Sequence, residues 1–251
     1  MELFDPLTKA SDIRSIVEKG TLRKYYRVPR AGSWYGGIAT ADCCGCNLKC
    51  VFCWSNKPRD NPGKIGHFYT PEQIFSKTTA CAARHGYRLL RLSGNEPTLC
   101  KQHLLELLSL VDKTDYLFIL ETNGTLLDVD YVTALAQFKN LHVRVSLKGT
   151  NAEEHALLTG AIGDSFENTI DGIALLKKHE IRFNVAAMLS FSSDKNTMFL
   201  KERLRTIAPS VEEDFEEEYI FIYPHVTKRL KRAGLTPFRA YSPQGIPQEL
   251  K

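Results

Sequence analysis

Residues 46–53 read Cys46-Asn47-Leu48-Lys49-Cys50-Val51-Phe52-Cys53, three cysteines in the spacing C-x3-C-x2-C. Thiolates are the usual protein ligands of iron–sulfur clusters, and a full cage takes four of them. A run this short does not form an ordinary helix or strand while it turns three sulfurs toward one centre. It can wrap three corners of a cubic [4Fe–4S] cluster and leave the fourth iron open to a small molecule. Phe52 and Trp54 flank the last cysteine and are placed to shield such a cluster. Shielding matters because solvent exposure, charge and hydrogen bonds to sulfur set the potential.

Two other metal readings compete. Cys43-x2-Cys46 and Cys50-x2-Cys53 can be paired as zinc knuckles. Four-cysteine zinc sites, however, separate their pairs by about 15–20 residues, whereas three residues lie between these. A ferredoxin run of the form C-x2-C-x2-C-x3-C places its long gap elsewhere. Cys43 and Cys44 then read as packing residues or alternative ligands, and Cys81 and Cys100 as small buried hydrophobes.

A chain of 251 residues can form one domain of the α/β barrel class or two small ones, and at 43% hydrophobic and 25% charged it has the make-up of an ordinary soluble protein. No apolar run approaches the length of a membrane span, so no membrane association is expected. The N-terminal run Met1-Glu2-Leu3-Phe4-Asp5-Pro6 has neither the basic region nor the apolar stretch of a secretory signal. Seven cysteines, mostly clustered, fit metal binding in a reducing compartment better than a disulfide framework, and a cytoplasmic location is expected. A formal charge of +4 permits a nucleic-acid partner without arguing for one.

Short apolar runs alternate with helical periodicity. Strands are predicted over 35–41, 88–93, 116–121, 142–147, 182–189 and 219–223, and helices over 71–85, 102–111, 128–138, 167–180 and 197–208. Strands separated by helices imply parallel βαβ units with right-handed crossovers. Runs such as Leu117-Phe118-Ile119-Leu120 are apolar on both faces, as strands buried under helices are. Six units are too few to close an eight-stranded barrel, so the expected fold is a partial TIM-type barrel, open on one side. The cysteine loop follows the first strand, at the carboxyl end where such folds gather their sites.

The complete C-x3-C-x-aromatic-C motif, with Phe52 as the aromatic, resembles the radical S-adenosylmethionine (radical SAM) superfamily. The resemblance implies a (β/α)6 radical SAM core over 34–225, an N-terminal extension at 1–33 and a C-terminal tail at 226–251. It also implies a [4Fe–4S] cluster on Cys46, Cys50 and Cys53 and a SAM molecule chelating the fourth iron. Reductive cleavage of SAM then gives a 5′-deoxyadenosyl radical that abstracts hydrogen from a substrate the sequence does not name. An electron donor such as a flavodoxin or ferredoxin is implied as partner.

Ser93-Gly94-Asn95-Glu96-Pro97 follows the second strand and resembles the family's G-G-E-P element, which holds the SAM amine. Asn95 departs from the usual glycine, but asparagine tolerates left-handed backbone angles. Glu121-Thr122-Asn123-Gly124 follows the third strand; Thr122 and Asn123 are placed to hydrogen-bond SAM, or else form a turn around Gly124. Arg144-Val145-Ser146-Leu147-Lys148-Gly149 ends the fourth and resembles the D-x-K-G of glycyl-radical-enzyme activases, with Ser146 in place of the acid. Ser146 and Lys148 share a face; Ser146 is a candidate for the ribose hydroxyls, and Lys148 for the SAM carboxylate or else for a solvated rim. His225 in Tyr223-Pro224-His225 is a candidate SAM or substrate contact. The basic run Lys228, Arg229, Lys231, Arg232 reads as a solvated face or as a surface for phosphates or an acidic partner, and the acidic run at 212–218 as a solvated face.

These motifs look closest to the organic radical-activating branch. The run Cys50-Val51-Phe52-Cys53-Trp54 also looks like a wybutosine-synthesis enzyme, which raises RNA modification as an alternative; a non-catalytic metal staple or electron relay is another. The absence of cysteine after residue 225 argues against an auxiliary-cluster extension within this sequence.

Overall fold

A computed structural model describes residues 2–245. Its central sheet is built from β1 (Glu18–Lys19), β2 (Leu22–Gly32), β3 (Ile38–Cys43), β4 (His67–Tyr69), β5 (Leu89–Ser93), β6 (Leu117–Thr122), β7 (Leu141–Leu147), β8 (Phe183–Met188) and β9 (Glu216–Glu218). The strands run in the order β1-β2-β3-β5-β6-β7-β8-β9, with β4 paired to β2. From β3 to β9 the pairing is parallel throughout, giving the partial (β/α)6 barrel. Two further short strands, β10 (Ile220–Phe221) and β11 (Ala240–Tyr241), pair with each other.

The helices are α1 (Pro6–Val17), α2 (Asn56–Asp60), α3 (Pro71–His85), α4 (Lys101–Val111), α5 (Val129–Leu135), α6 (Ala152–Thr159), α7 (Ser165–Lys178), α8 (Asp194–Ile207) and α9 (Pro224–Ala233). α3 begins at Pro71, as predicted, because Thr70 and Gln73 form a reciprocal capping box ahead of it. It ends where Gly86 takes a left-handed conformation.

Each barrel strand presents two unlike faces. Ala39, Ala41, Leu90, Leu92, Phe118, Leu120, Val143, Val145 and Val185 form the main core. The register sets Thr40 against Arg91, Asp42 against Ser93, Glu121 against Arg144 and Ala186 against Glu216 on the other face. The barrel interior is therefore charged, while the helix-covered exterior is apolar.

The expected sixth strand at 219–223 is corrected to Glu216–Glu218. Three consecutive glutamates carry no apolar signal, but Glu216 and Glu218 face Arg144 across the barrel, and ion pairing replaces apolar burial as the reason to enter the sheet. The first strand begins at Ile38 rather than 35, because Trp34–Gly36 form a 3-10 turn. The sequence reading also passed over β2. Its basic residues and Pro29 hide the strand pattern, and Pro29 falls where the β2–β3 register shifts, a bulge that tolerates proline.

Candidate active site

β3 ends at Cys43 and the chain turns through Cys44-Gly45-Cys46 into the cysteine loop. Gly45 has φ +82°, and a Cβ there would sit 2.6 Å from Ile13 and 3.0 Å from Val17. α1 therefore packs directly on the loop entrance. Lys49 N donates to Thr159 O (3.0 Å) and Val51 N to Leu158 O (2.9 Å), which pins the loop to the end of α6. Leu48, Cys50 and Ala161 are buried together, and Phe4, Cys46, Phe52 and Cys53 pack against them. The three motif cysteines thus share one apolar shell. Phe52 stacks on Phe191 inside this region, whereas Trp54 is half exposed, so only the first of the two aromatics shields the thiols.

Two cations grip the loop backbone. Arg59 Nη1 donates to Cys50 O (2.6 Å) from α2. Arg229 Nε donates to Val51 O (2.8 Å) and its Nη2 to Cys53 O. The sequence showed Arg229 only within a basic surface run and gave no sign that Arg59 holds the loop; the long-range contacts leave no local trace.

All three cysteines are free thiols. Burial pushes the Cys46 thiol well above its ordinary value, with Glu96 and the neighbouring Cys50 adding to the effect. Burial likewise raises Cys50 to about 11, against an opposing pull from the Lys148 ammonium. Ligation needs thiolates, so loading this loop releases protons. Among the described residues no three His, Cys, Asp or Glu side chains form a group that would hold a metal ion. The fit to a cluster rests instead on the donor chemistry: three free thiols in one apolar shell, with arginines on the loop carbonyls and Lys148 opposite Cys50.

The G-N-E-P turn lies against this loop. Glu96 N donates to Gly45 O (3.0 Å). Gly94 has φ +99°, and a Cβ there would come within 3.0 Å of Cys43 N, so the left-handed residue in the motif is Gly94. Asn95 is not left-handed, which corrects the role expected of it. Its Nδ2 donates to Ser55 O (3.1 Å) and Gly94 O (3.0 Å), while its Oδ1 is buried without a partner. A buried acceptor lacking a donor fits an ammonium.

Glu96 is 1% exposed. Its Oε1 accepts from Thr98 N, Thr98 Oγ1 and Thr122 Oγ1, and its Oε2 from Asn123 N. The carboxylate therefore latches the turn after β5 to the turn after β6. Beneath it Arg23, fully buried on β2, donates to the carbonyls of Glu96 (2.7 Å) and Pro97 (2.6 Å). Asn123 Nδ2 donates to Asn47 Oδ1 (2.9 Å) and lies 3.9 Å from Cys46 Sγ. Gly124 takes φ +78°.

On β7, Ser146 Oγ donates to Glu218 (2.8 Å), and Lys148 Nζ donates to Ser146 Oγ and lies 3.9 Å from Glu218. Arg144 bridges Glu216 and Glu218. Burial alone would raise the Glu218 carboxyl, but Arg144 and Lys148 bring it down to about 2. Further round the interior, Arg91 pairs with Glu121, and Arg27 and Arg30 with Asp42. The sequence pointed to Ser146 and Lys148 but not to the roles of Asp42, Arg91, Arg144, Glu216 and Glu218, although the alternation Arg144-x-Ser146-x-Lys148, Thr40-x-Asp42 and Glu216-x-Glu218 carries the signal. His225 lies at the exposed start of α9; its Nε2 meets Trp54 O at 3.1 Å, and its ring stacks on Tyr223.

Six parallel strands, a thiol loop after the first, and polar turns after the next three define a cofactor enzyme of the barrel class. The family described as the radical SAM superfamily matches residues 42–198. The chain belongs to the radical SAM superfamily, whose members are enzymes built around a [4Fe–4S] cluster and S-adenosylmethionine. It is 33% identical over 147 residues to an AdoMet-dependent heme synthase of Methanosarcina barkeri, covering 58% of this chain and 40% of the relative. It is 25% identical over 207 residues to a cysteine-type anaerobic sulfatase-maturating enzyme of Clostridium perfringens, covering 74% of this chain and 56% of that one. Streptococcus suis SuiB bound to S-adenosylmethionine shares the fold, with a TM-score of 0.55 at 18% identity over 65% of this chain and 36% of SuiB. The chain thus spans about half the length of the curated relatives it matches. These relatives are not glycyl-radical-enzyme activases, so the assignment stands at the superfamily and not at the activating branch. No helix of the described residues is long and apolar enough to cross a membrane.

Proposed function

We propose that this chain binds its cluster through Cys46, Cys50 and Cys53 and holds S-adenosylmethionine across the ends of β5, β6 and β7. When bound, the reduced cluster and SAM supply a one-electron cleavage that yields a hydrogen-abstracting 5′-deoxyadenosyl radical. Every other part falls to the protein. Asn95 Oδ1 and the backbone of Gly94 accept from the SAM ammonium. Glu96, Thr122 and Asn123 hold that turn in shape, and Asn123 tethers it to the Cys46 segment. Lys148 faces the SAM carboxylate, and Ser146 the ribose. His225 supports the Trp54 segment at the rim, next to where SAM or substrate would lie.

The observation that carries this reading is the buried, unpartnered Asn95 Oδ1 on a turn bonded directly to the cysteine loop. The charged interior supports a polar substrate, because apolar groups there would displace solvent from ion pairs without replacing their hydrogen bonds. A flavodoxin or ferredoxin is the electron donor in this reading. Chemistry on heme precursors or sulfatase cysteines, suggested by the relatives' names, and the activase-like and RNA-modifying alternatives are to be separated by substrate assays.

The test is electron paramagnetic resonance of the reconstituted, dithionite-reduced protein with and without SAM. A reduced-cluster signal that changes shape on SAM addition in wild-type, and responds to far higher SAM concentrations in Asn95→Leu and Lys148→Met, supports the assignment. An unchanged signal at saturating SAM contradicts it.

A further inference from the structure

We propose that the exposed face of α9 is the docking surface for a small acidic one-electron carrier protein that reduces the cluster. The proposal rests on the radical SAM reading, and it assigns the place where the electron enters.

α9 reads Pro224-His225-Val226-Thr227-Lys228-Arg229-Leu230-Lys231-Arg232-Ala233. Val226 and Leu230 are buried against Met188 and Ile220, with Val51 and Phe52 of the cysteine loop in the same cluster. Arg229 points the same way and bonds the carbonyls of Val51 and Cys53. One side of this helix is thus fastened to the proposed ligand loop. On the other side Lys228, Lys231 and Arg232 are exposed. They stand at i, i+3 and i+4, so they form a single stripe.

Among the described residues none of these three has a carboxylate within ion-pair reach, whereas Arg27, Arg30, Arg59, Arg91, Arg144 and Arg203 all do. Like charges at this spacing repel one another, so an external anionic surface would relieve a cost the fold leaves standing. Exposed apolar side chains lie on segments joined to the start of α9: Trp54, 47% exposed, whose carbonyl meets His225, and Ile222, 40% exposed, two residues before the helix. Transient electron-transfer contacts are small, and complementary charge across them speeds encounter. RNA phosphates would also be drawn to the stripe. The fastening of its helix to the Val51 and Cys53 carbonyls favours the electron carrier, because only that partner needs this loop.

The test uses the reconstituted full chain, a flavodoxin as reductant, dithionite as a small-molecule control, and the variant Lys228→Glu/Lys231→Glu/Arg232→Glu. The milder Lys228→Gln/Lys231→Gln/Arg232→Gln controls for helix stability. Flavodoxin-driven 5′-deoxyadenosine formation at low salt should fall about tenfold or more in the Glu variant, and by less in the Gln variant. The dithionite-driven rate should stay near that of wild-type. Salt should slow the wild-type reaction steeply and the Glu variant little. An unchanged flavodoxin-driven rate overturns the proposal. So does a loss confined to binding of bulk tRNA, which would give the face to nucleic acid. If dithionite gives no 5′-deoxyadenosine even in wild-type, the radical SAM reading fails instead. Titration of flavodoxin onto wild-type and variant then decides the docking face by itself, with equal affinities counting against it.

Discussion

Glu96 accepts from Thr98, Thr122 and Asn123 while almost wholly buried. Glu96→Ala strands those donors without acceptors. A loss on the order of 3 kcal/mol is expected, read as a lower denaturant midpoint, while Glu96→Gln, which keeps one acceptor oxygen, should lose less. An unshifted midpoint in the alanine variant would show that the latch is not a source of stability. Two histidines give the acid limb of stability. His103, fully buried, bonds the Tyr25 hydroxyl and Thr21 O at 2.7 Å each. Burial brings both His103 and His155 down to about 4. The unfolded chain takes up protons near pH 6.5, so it binds more of them than the folded chain between about pH 6.5 and 4. Stability is then full above about pH 6.5 and declines as pH falls through that window. Thermal midpoints measured across it should slope upward with pH, and His103→Gln should flatten the slope. At this scale the sequence made the cysteines and the Gly94–Pro97 turn legible, because their spacing is local. It did not reveal that Asn95 needs no left-handed angle or that Arg23 supports the turn from 73 residues away.

Strand β9 shows what element-level reading loses. An acidic run has no apolar period, so it read as a solvated face, and Tyr219–Tyr223 took its place as the sixth strand. The strand exists because Arg144 on β7 and Asn184 on β8 meet Glu216 and Glu218. Arg144→Met removes the cation that both carboxylates share. The expected cost is about 2 kcal/mol, below the figure for a fully buried pair because Glu218 keeps 24% of its side chain exposed. The acid profile should move as well. Glu218, held near 2, contributes stability that is present above its unfolded value and lost as pH falls from about 4.5 toward 2. In Arg144→Met the folded Glu218 carboxyl rises back toward its unfolded value, so this acid-dependent loss should shrink, as urea midpoints between pH 3 and 6 would show. Equal acid profiles would mean that the pair does not hold β9. The helices were easier to read: α3 carries its capping box and terminal glycine in adjacent residues, so its bounds agree with expectation.

Across the whole molecule, the alternation of strand and helix made the partial barrel legible, since parallel βαβ units leave a repeating pattern in one chain. The two faces of its sheet were not separated so well. The apolar exterior dominated the reading, while the charged interior depends on partners contributed by distant strands, from Asp42 to Glu218. The N-terminal β2 and the C-terminal α9 escaped for the same reason. Each is held by long-range bonds, Arg23 to the Glu96 turn and Arg229 to the cysteine loop, and not by a strong local period.

The central claim is that three thiolates grip three irons and leave one iron corner to SAM. Its most direct measurement is 5′-deoxyadenosine formed from SAM by anaerobically reconstituted, dithionite-reduced protein, with iron counted in the same sample. About four irons per chain and 5′-deoxyadenosine that disappears in Cys46→Ala, Cys50→Ala and Cys53→Ala are predicted. Zinc in place of iron, or a full iron complement with no SAM cleavage, would contradict the account.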